Sequence, residues 1–500
     1  MRAPGWDPNF VQLRTSALSM SAVFATFFTA WLIEDLAHLH TDVVVLGVVL
    51  ALTLSRTNGK VHGSRRWAEL RRLGIVAVVA AGAGTVGTLM IQHVVLGDVL
   101  FTVAVSVAIW LRRFGPLGRT LGTLISLPFI SLLVAPAAPT FGAAHTAWTA
   151  AVAGIALTYV TAFALIGRRL HWIPPAPTEE AAPARASTTR ISASTRMAVQ
   201  MAVGVGLAFF VGHQVFGQHW PWVVVTAYIT ASGNRGRGDV VYKGVLRLVG
   251  ASVGTIAATV LANAFDPGDR WAVVAIFTVV AVAHWLRGWN YAFWAAGVTA
   301  ALALLYGYSG VSGLSLLADR LGAVCVGAII AVGSAWLVLP VRTTAVLKRR
   351  VADTLAELSD FLTAARRRDH QGLADQHRRL AATVAGVEQL APTIHAHRFA
   401  STWWSSRPHP ADAVRGVRAL HGSAENLTRQ VTADPTVLHD PELAGDLARL
   451  HGALTATRRQ LGKRPPGEDQ PEPPRETGTA ALPHPAELHD ALDRIAGAFS

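Results

Sequence analysis

Two arginines occupy equivalent places in the chain and have the chemistry to bind an anion. Arg71 follows Asn58 by 13 positions, Arg247 follows Asn234 by 13 positions, and 176 positions separate the two arginines. A guanidinium group binds a carboxylate through two parallel hydrogen bonds. These four residues are therefore candidates for the path of an organic anion. The alternative, in which the arginines only anchor basic loops at a membrane surface, stays open.

Two more candidates lie on the apolar run that precedes Arg247. Trp222 and Thr226 line the path of an aromatic substrate in one interpretation. In the other interpretation, Trp222 belongs with Trp220 and Trp289 to the aromatic belts at the membrane surfaces. Both interpretations stay open at this stage.

A charged pair, Asp319 and Arg320, precedes the last long apolar run. If the helix begins at Leu314, both residues lie inside the membrane, where ionisable groups mark functional sites. If it begins at Leu321, they form a pair at the outer rim. Asp319 is the candidate proton carrier if transport is coupled to protons. The first half of the chain has His145 near the equivalent place, so a site here would be asymmetric.

No motif for an enzyme or a cofactor is present in the sequence. The chain lacks a Walker loop, so we expect no ATP hydrolysis. His395 and His397 form the one His-x-His of the soluble part, but no cysteine or carboxylate cluster accompanies them. Cys325 lies alone in an apolar run. We therefore expect no catalytic residue, no metal and no cofactor.

The elements that must position these residues are membrane helices. The 500-residue chain is 51% hydrophobic and 15% charged, whereas soluble proteins are about a quarter charged. Many apolar residues fall in runs of roughly 15 to 25, the length of a helix that crosses about 30 Å of hydrocarbon. Sustained alternation with period two is absent, so helices are predicted instead of barrel strands. The net charge of +13 is explained by basic loops at the inner membrane surface and requires no nucleic-acid partner.

The apolar runs predict an all-α integral membrane fold of about twelve transmembrane helices in two six-helix repeats. Six is an even number, so the two repeats cross the membrane in the same sense and are parallel. The second and eighth runs are short. Corresponding short spans point to a transport site, although a tilted neighbour and a locally thin bilayer also explain them. The predicted parts are a first repeat (1–169), a cytoplasmic linker (170–195), a second repeat (196–341), a cytoplasmic helical domain (342–462), a disordered linker (463–484) and a terminal helix (485–500).

The distribution of basic residues predicts the orientation in the membrane. With a cytoplasmic N-terminus, nearly all loop arginines and lysines fall inside, and only Arg270 and the rim residue Arg320 fall outside. Both termini are then cytoplasmic. Amphipathic helices after Pro340 predict a cytoplasmic domain of mixed charge. This domain can pair with itself, with a second subunit or with nothing, and a homo-oligomer is slightly favoured.

The stretch WPWVVVTAYITASGNRGRGDVVYKGVLRLVGASVGT resembles the fusaric acid resistance / aromatic acid exporter-like (FUSC-type) family of integral membrane proteins. In that family a short span that begins with tryptophan is followed by a basic loop, an arginine and a helix start with GxxxG-like spacing. The second half of the chain matches well, the first half faintly and the soluble tail not at all. The matching residues are Trp222, Thr226, Arg247, Gly250, Gly254, Thr255, Arg320 and Pro340.

The resemblance implies a multi-pass protein of the bacterial inner (plasma) membrane that exports aromatic or other organic acid anions. Related plant proteins are anion channels, built as dimers of six-span subunits with helical cytoplasmic domains, and a chain with two six-span halves resembles a fused version of them. The alternative is a non-transporting, membrane-anchored envelope or scaffold protein with a cytoplasmic helical domain. The sequence identifies neither the substrate nor a coupling ion.

Overall fold

The computed structural model describes residues 10–37, 42–55, 66–134, 143–172, 192–262, 265–310, 314–401, 409–462 and 485–499. Throughout these residues the regular secondary structure is helical, without a strand. The chain divides into two compact units. Of the described residues, the first unit contains those up to Asn234 together with Lys243–Pro340. The second contains Arg235–Tyr242 and the described residues from Val341 onward.

Twelve α-helices precede Pro340 in the described part of the chain, in the order of the predicted apolar runs. Seven helical segments are long and apolar enough to cross a membrane, and one of them runs through both α7 and α8. Shorter apolar helices accompany them. The prediction of an all-helical membrane protein is therefore confirmed. The helices are α1 (Val11–Ala37), α2 (Asp42–Leu54), α3 (Arg66–Gln92), α4 (Val94–Trp110), α5 (Gly115–Leu132), α6 (Ala143–Arg169), α7 (Ala193–Phe216), α8 (Trp220–Ala231), α9 (Arg237–Ala262), α10 (Arg270–Leu286), α11 (Tyr291–Tyr308) and α12 (Leu314–Leu337).

The helices α2 and α8 are short, with 13 and 12 residues. At 1.5 Å per residue, α8 is about 18 Å long, well under the roughly 30 Å of a hydrocarbon core. Eight of its residues are buried, and they cover its whole circumference, as expected for a helix that is apolar all round. It packs against α7 and α12, and Gly327 of α12 lets the two backbones approach closely at Thr226. This buried helix lies at the centre of the second half.

Three helices of each predicted repeat make the same set of mutual contacts. The helices α1, α2 and α6 contact one another, and so do α7, α8 and α12. The offset of 176 seen in the sequence relates α4 to α10 and α5 to α11 at both ends of each helix. The halves meet along α4–α7 and α1–α10. At this offset Phe101 matches Phe277, and each packs against phenylalanine of the other half.

The helix α9 begins at Arg237, ten residues before Arg247. The glycine-rich basic segment is therefore largely helical. Asp239 explains the early start, because its carboxylate accepts a hydrogen bond from the Arg235 backbone N–H at 3.3 Å and lies in the first turn. Gly236 and Gly238 are required here, since Thr343 approaches both so closely that a Cβ at Gly236 would lie 2.6 Å from its Oγ1.

The second unit is a helical domain with one continuous apolar core. Each of its long helices turns an apolar face inward, and the polar faces carry mostly arginine, aspartate and glutamate. Its helices are α13 (Thr343–Arg366), α14 (His370–Glu388), α15 (Ala391–Ser401), α16 (Pro410–Ala433), α17 (Pro441–Leu461) and α18 (Pro485–Gly497).

At the start of α16, Asp412 connects two helices of this domain. Its carboxylate accepts hydrogen bonds from Arg398 of α15 at 2.6 Å, from Arg415 and from the His409 backbone N–H at 3.0 Å. Burial by itself raises the pKa of Asp412, but the hydrogen bonds from Arg415, His409 and Arg398 lower it to about 2. The ionised carboxylate therefore stabilises the domain at neutral pH.

We predict that Gly254→Ala destabilises the first unit. A Cβ at Gly254 would overlap the carbonyl oxygen of Ala296 on α11, a backbone atom that moves only if the helices separate. Overpacking of this kind costs about 1–3 kcal/mol, so the thermal unfolding midpoint of the detergent-purified protein should fall. The control is Gly206→Ala, where a Cβ meets no atom within 4 Å. Equal midpoints for the two variants would contradict the close α9–α11 contact.

A second prediction concerns the pH dependence of stability. Asp412→Asn should lower the free energy of unfolding by about 2 kcal/mol at pH 7. The folded-state pKa of Asp412 lies below its unfolded value of about 3.9, so the stabilisation is present above that value and is lost as the pH falls towards 2.

The measurement is urea unfolding of both proteins, followed by circular dichroism from pH 7 to pH 3. The matched control is Asp375→Asn, which removes an exposed ion pair with Arg378 and should cost no more than about 0.5 kcal/mol. If the loss caused by Asp412→Asn stays constant over this pH range, the proposed role of its ionised carboxylate is wrong.

Candidate functional site

The first contact of the candidate site joins α9 to α8. The Nε and Nη2 atoms of Arg247 both donate to Thr226 Oγ1, at 3.3 and 3.2 Å. Arg247 lies ten positions after the first residue of α9, about 15 Å along the helix. Thr226 is completely buried. The guanidinium is therefore held inside the helix bundle by one hydroxyl group, and its Nη1 has no partner among the described residues.

The second contact joins α12 to α8. The guanidinium carbon of Arg320 lies 5.6 Å from the centre of the Trp222 ring, the geometry of a cation–π contact. Arg320 is only 6% exposed. Because α12 begins at Leu314, Arg320 lies inside the helix, as the first of the two alternatives requires. The partners of the two arginines, Thr226 and Trp222, lie four residues apart on α8, about one helical turn, so Arg247 and Arg320 contact adjacent turns of the same helix.

Aromatic groups surround Trp222 in this site. Trp222 donates from its indole N–H to the Tyr306 hydroxyl at 3.3 Å, and the two rings meet edge to face at 5.6 Å. The His219 ring stacks on the other side of Trp222 with a centroid distance of 4.5 Å. Asp319 contacts His219 Nδ1 at 3.4 Å and is 54% exposed. Trp222 is therefore fixed from three directions by Arg320, Tyr306 and His219.

The charge balance of the site favours an anion. Within the described ranges, neither Arg247 nor Arg320 forms an ion pair with a carboxylate, and Asp319 instead faces His219. Removing a guanidinium from water costs several kcal/mol unless an opposite charge or hydrogen bonds compensate. One hydroxyl and one aromatic ring compensate only part of the desolvation cost of these two guanidinium groups. A carboxylate fits them in charge and in hydrogen-bonding geometry.

Other predicted residues lie elsewhere. Asn234 is buried at the end of α8, where its side chain donates to the Thr230 carbonyl at 2.6 Å and accepts from Lys243 at 2.7 Å. These bonds cap the helix and leave Asn234 outside the arginine site. Asn58 lies outside the described residues. Arg71 lies on α3, but its side chain is not among those described.

Sequence reasoning missed two members of the site, Tyr306 and His219. Tyr306 follows Trp222 by 84 positions, and no pattern in the sequence connects them. His219 is one of 19 histidines and lies in the turn Gly217–His219 before α8. Its position three residues before Trp222 is the signal that could have identified it, since the two residues lie one turn apart if the turn continues into the helix.

Comparison with known proteins finds a family match over the same region of the chain. Residues 201–333 match the model of the family described as fusaric acid resistance protein-like, which confirms the resemblance. The match covers the segment from α7 to most of α12 and includes every residue of the arginine site. No curated protein matches the chain.

We predict that Thr226→Val lowers the stability of the protein, because Arg247 loses the hydroxyl to which it donates. Valine has nearly the volume of threonine but lacks the hydroxyl that accepts both hydrogen bonds. A hydrogen bond to a charged group contributes about 1.5–3 kcal/mol, so the thermal unfolding midpoint should fall. Thr226→Ser keeps the acceptor and should behave more like the wild type. If serine and valine lower the midpoint equally, packing and not the hydroxyl holds this part of α8.

Proposed function

We propose that this chain, whose residues 201–333 match the fusaric acid resistance protein-like family, is a transporter or conduit that exports organic acid anions. The observation that carries the proposal is the pair Arg247 and Arg320, which share one site without a carboxylate partner among the described residues. Ionisable residues inside membrane helices cost free energy and are retained for function. Aromatic acids are included among the proposed substrates, because Trp222, Tyr306 and His219 offer ring surfaces beside Arg320.

The spacing of the two arginines suggests how an anion moves. Arg247 contacts Thr226 and Arg320 contacts Trp222, and these partners lie four residues apart on α8. Four residues correspond to about 6 Å along a helix, roughly one turn. A carboxylate can therefore pass from one guanidinium to the next without crossing an uncompensated apolar segment. Several sites of moderate affinity allow an ion both to enter and to leave.

The proposed architecture is two parallel six-helix repeats, with a cytoplasmic helical domain. The repeat is supported by the matching bounds of α4 with α10 and of α5 with α11, and by the matching contacts of each short helix. The basic loops support a cytoplasmic location of both termini in the inner membrane. In this orientation Arg320, near the first turn of α12, lies towards the outer surface, and Arg247 lies deeper.

The membrane potential favours export in this arrangement. An anion that leaves a cell with a negative interior gains about 2.3 kcal/mol per charge for each 100 mV. A passive conduit therefore suffices, and the proposal requires neither ATP nor a cofactor. The proposed partners are the lipid bilayer and a small organic anion.

The prediction is that reconstituted protein releases an aromatic carboxylate such as benzoate from liposomes under an applied potential. Arg247→Gln and Arg320→Gln should each reduce the rate at least tenfold, because each leaves an apolar step for the anion. Arg320→Lys keeps the charge and should retain part of the rate. Release is measured with radiolabelled benzoate and with the potential set by a potassium gradient and valinomycin.

The matched control is Arg270→Gln, which removes one positive charge from an exposed position at the start of α10. It should leave the rate within about twofold of the wild type, since a distant surface charge is screened by salt. Folding is checked by gel filtration of each variant. Potential-independent leakage, or equal rates in the Arg247→Gln and Arg270→Gln proteins, would contradict the proposed anion path.

A further inference from the structure

An ionisable pair outside the arginine site connects the two halves of the helix bundle. His213 of α7 and Asp98 of α4 meet through Nε2 and Oδ2 at 2.9 Å. The side chains are 28% and 14% exposed. The other carboxylate oxygen of Asp98, Oδ1, is buried and has no hydrogen-bond partner. Because α4 begins at Val94, this carboxylate lies within an apolar helix.

In the described part of the chain, His213 is the one ionisable side chain that contacts Asp98. The faces of Phe209 and Trp220 cover the His213 ring, with centroid distances of 6.2 and 4.8 Å. Among the described residues, no third charged group forms an ion pair with either member. The other ionisable groups on α4, on α7 and on the elements packed against them are Arg66, Glu69, Arg71, Arg72, His93, Arg112, Arg113, Arg119, Arg196, His219, Tyr228, Asp319, Arg320 and Cys325.

Helix register separates most of these groups from the pair. Arg112 follows Asp98 by 14 residues and Arg196 precedes His213 by 17, so both lie more than about 20 Å away along their helices. His219 faces Asp319, and Arg320 faces Trp222. A proton gained or lost by the pair is therefore not compensated by a neighbouring charge.

The opposite contact between the halves lacks such a pair. At the offset of 176 that relates α4 to α10, Val274 stands in place of Asp98. Phenylalanine packing is present at both contacts, so packing alone does not require an aspartate. A buried carboxylate with one unsatisfied oxygen lowers the stability of the fold. Its presence therefore indicates a role other than stabilisation.

We propose that His213 and Asp98 form a reversible proton-binding site that sets the pH dependence of anion movement. In the deprotonated state, neutral His213 donates from Nε2 to the Asp98 carboxylate, and the pair carries one negative charge. Uptake of one proton gives a neutral pair, in which the proton is shared between imidazole and carboxylate. Because α4 and α7 belong to different halves, the change in charge acts at their contact. The effect on anion movement rests on the proposed function, whereas proton binding does not.

Trp220 reports the proton directly, since its ring lies against His213 and a protonated imidazole quenches indole fluorescence. Full-length protein in detergent is titrated from pH 4 to pH 9. The chain has 15 tryptophans, so the Trp220 signal is the difference between the titrations of the wild type and Trp220→Phe. We expect this difference to show a transition in the wild-type background that is lost when His213→Gln is also present. In Asp98→Asn the midpoint should differ from that of the wild type, because the carboxylate that shares the proton with the imidazole is gone. The exposed His93→Gln is the control and should titrate like the wild type.

A titration that is unchanged in His213→Gln overturns the proposal, and gel filtration shows whether each variant is folded. The second measurement is benzoate release at pH 5.5 and 7.5 under a fixed potential. The ratio of the two rates should approach one in His213→Gln and stay at the wild-type value in His93→Gln. A ratio that His213→Gln leaves unchanged also overturns the proposal. If no protein releases benzoate, the proposed function fails, and the fluorescence titration alone decides the proton site.

Discussion

The structure depends on the cost of keeping guanidinium groups inside an apolar helix bundle. Arg320 is buried against the face of Trp222, and Arg247 is held by the hydroxyl of Thr226. Neither contact compensates a full charge as a carboxylate would. A transport site of the proposed kind would benefit from this deficit, because an internal carboxylate would neutralise the arginines and exclude an anionic substrate. The remaining cost is offset by the packing of the surrounding helices.

The short helix α8 makes this arrangement physically feasible. It is buried on every side, and its backbone hydrogen bonds are satisfied internally, so its side chains alone determine what the interior presents. Gly327 brings α12 against it, while Gly250 and Gly254 bring α9 against α11. Small residues at helix contacts permit close approach and fix the orientation of the neighbouring arginines.

The two halves have similar packing but different polar groups. Each half has a short helix in contact with the first and last helix of its set, and the halves meet through phenylalanine at two related contacts. Of these two contacts, only α4–α7 joins an aspartate to a histidine among the described residues. Similar helix packing on both sides is therefore compatible with an ionisable pair on one side alone.

The sequence by itself determined the helical membrane fold and the short helix before Arg247. Apolar run length and basic loops suffice for this, because the bilayer imposes the same constraint on every span. The sequence also selected five residues that the structure groups around α8, namely Arg247, Arg320, Asp319, Trp222 and Thr226. Only the tertiary structure decided that Tyr306 and His219 complete the site, that Asn234 caps α8 and that Asp98 lies within a helix facing His213. Such contacts join residues far apart in sequence, and they depend on helix boundaries and rotations that hydropathy does not specify.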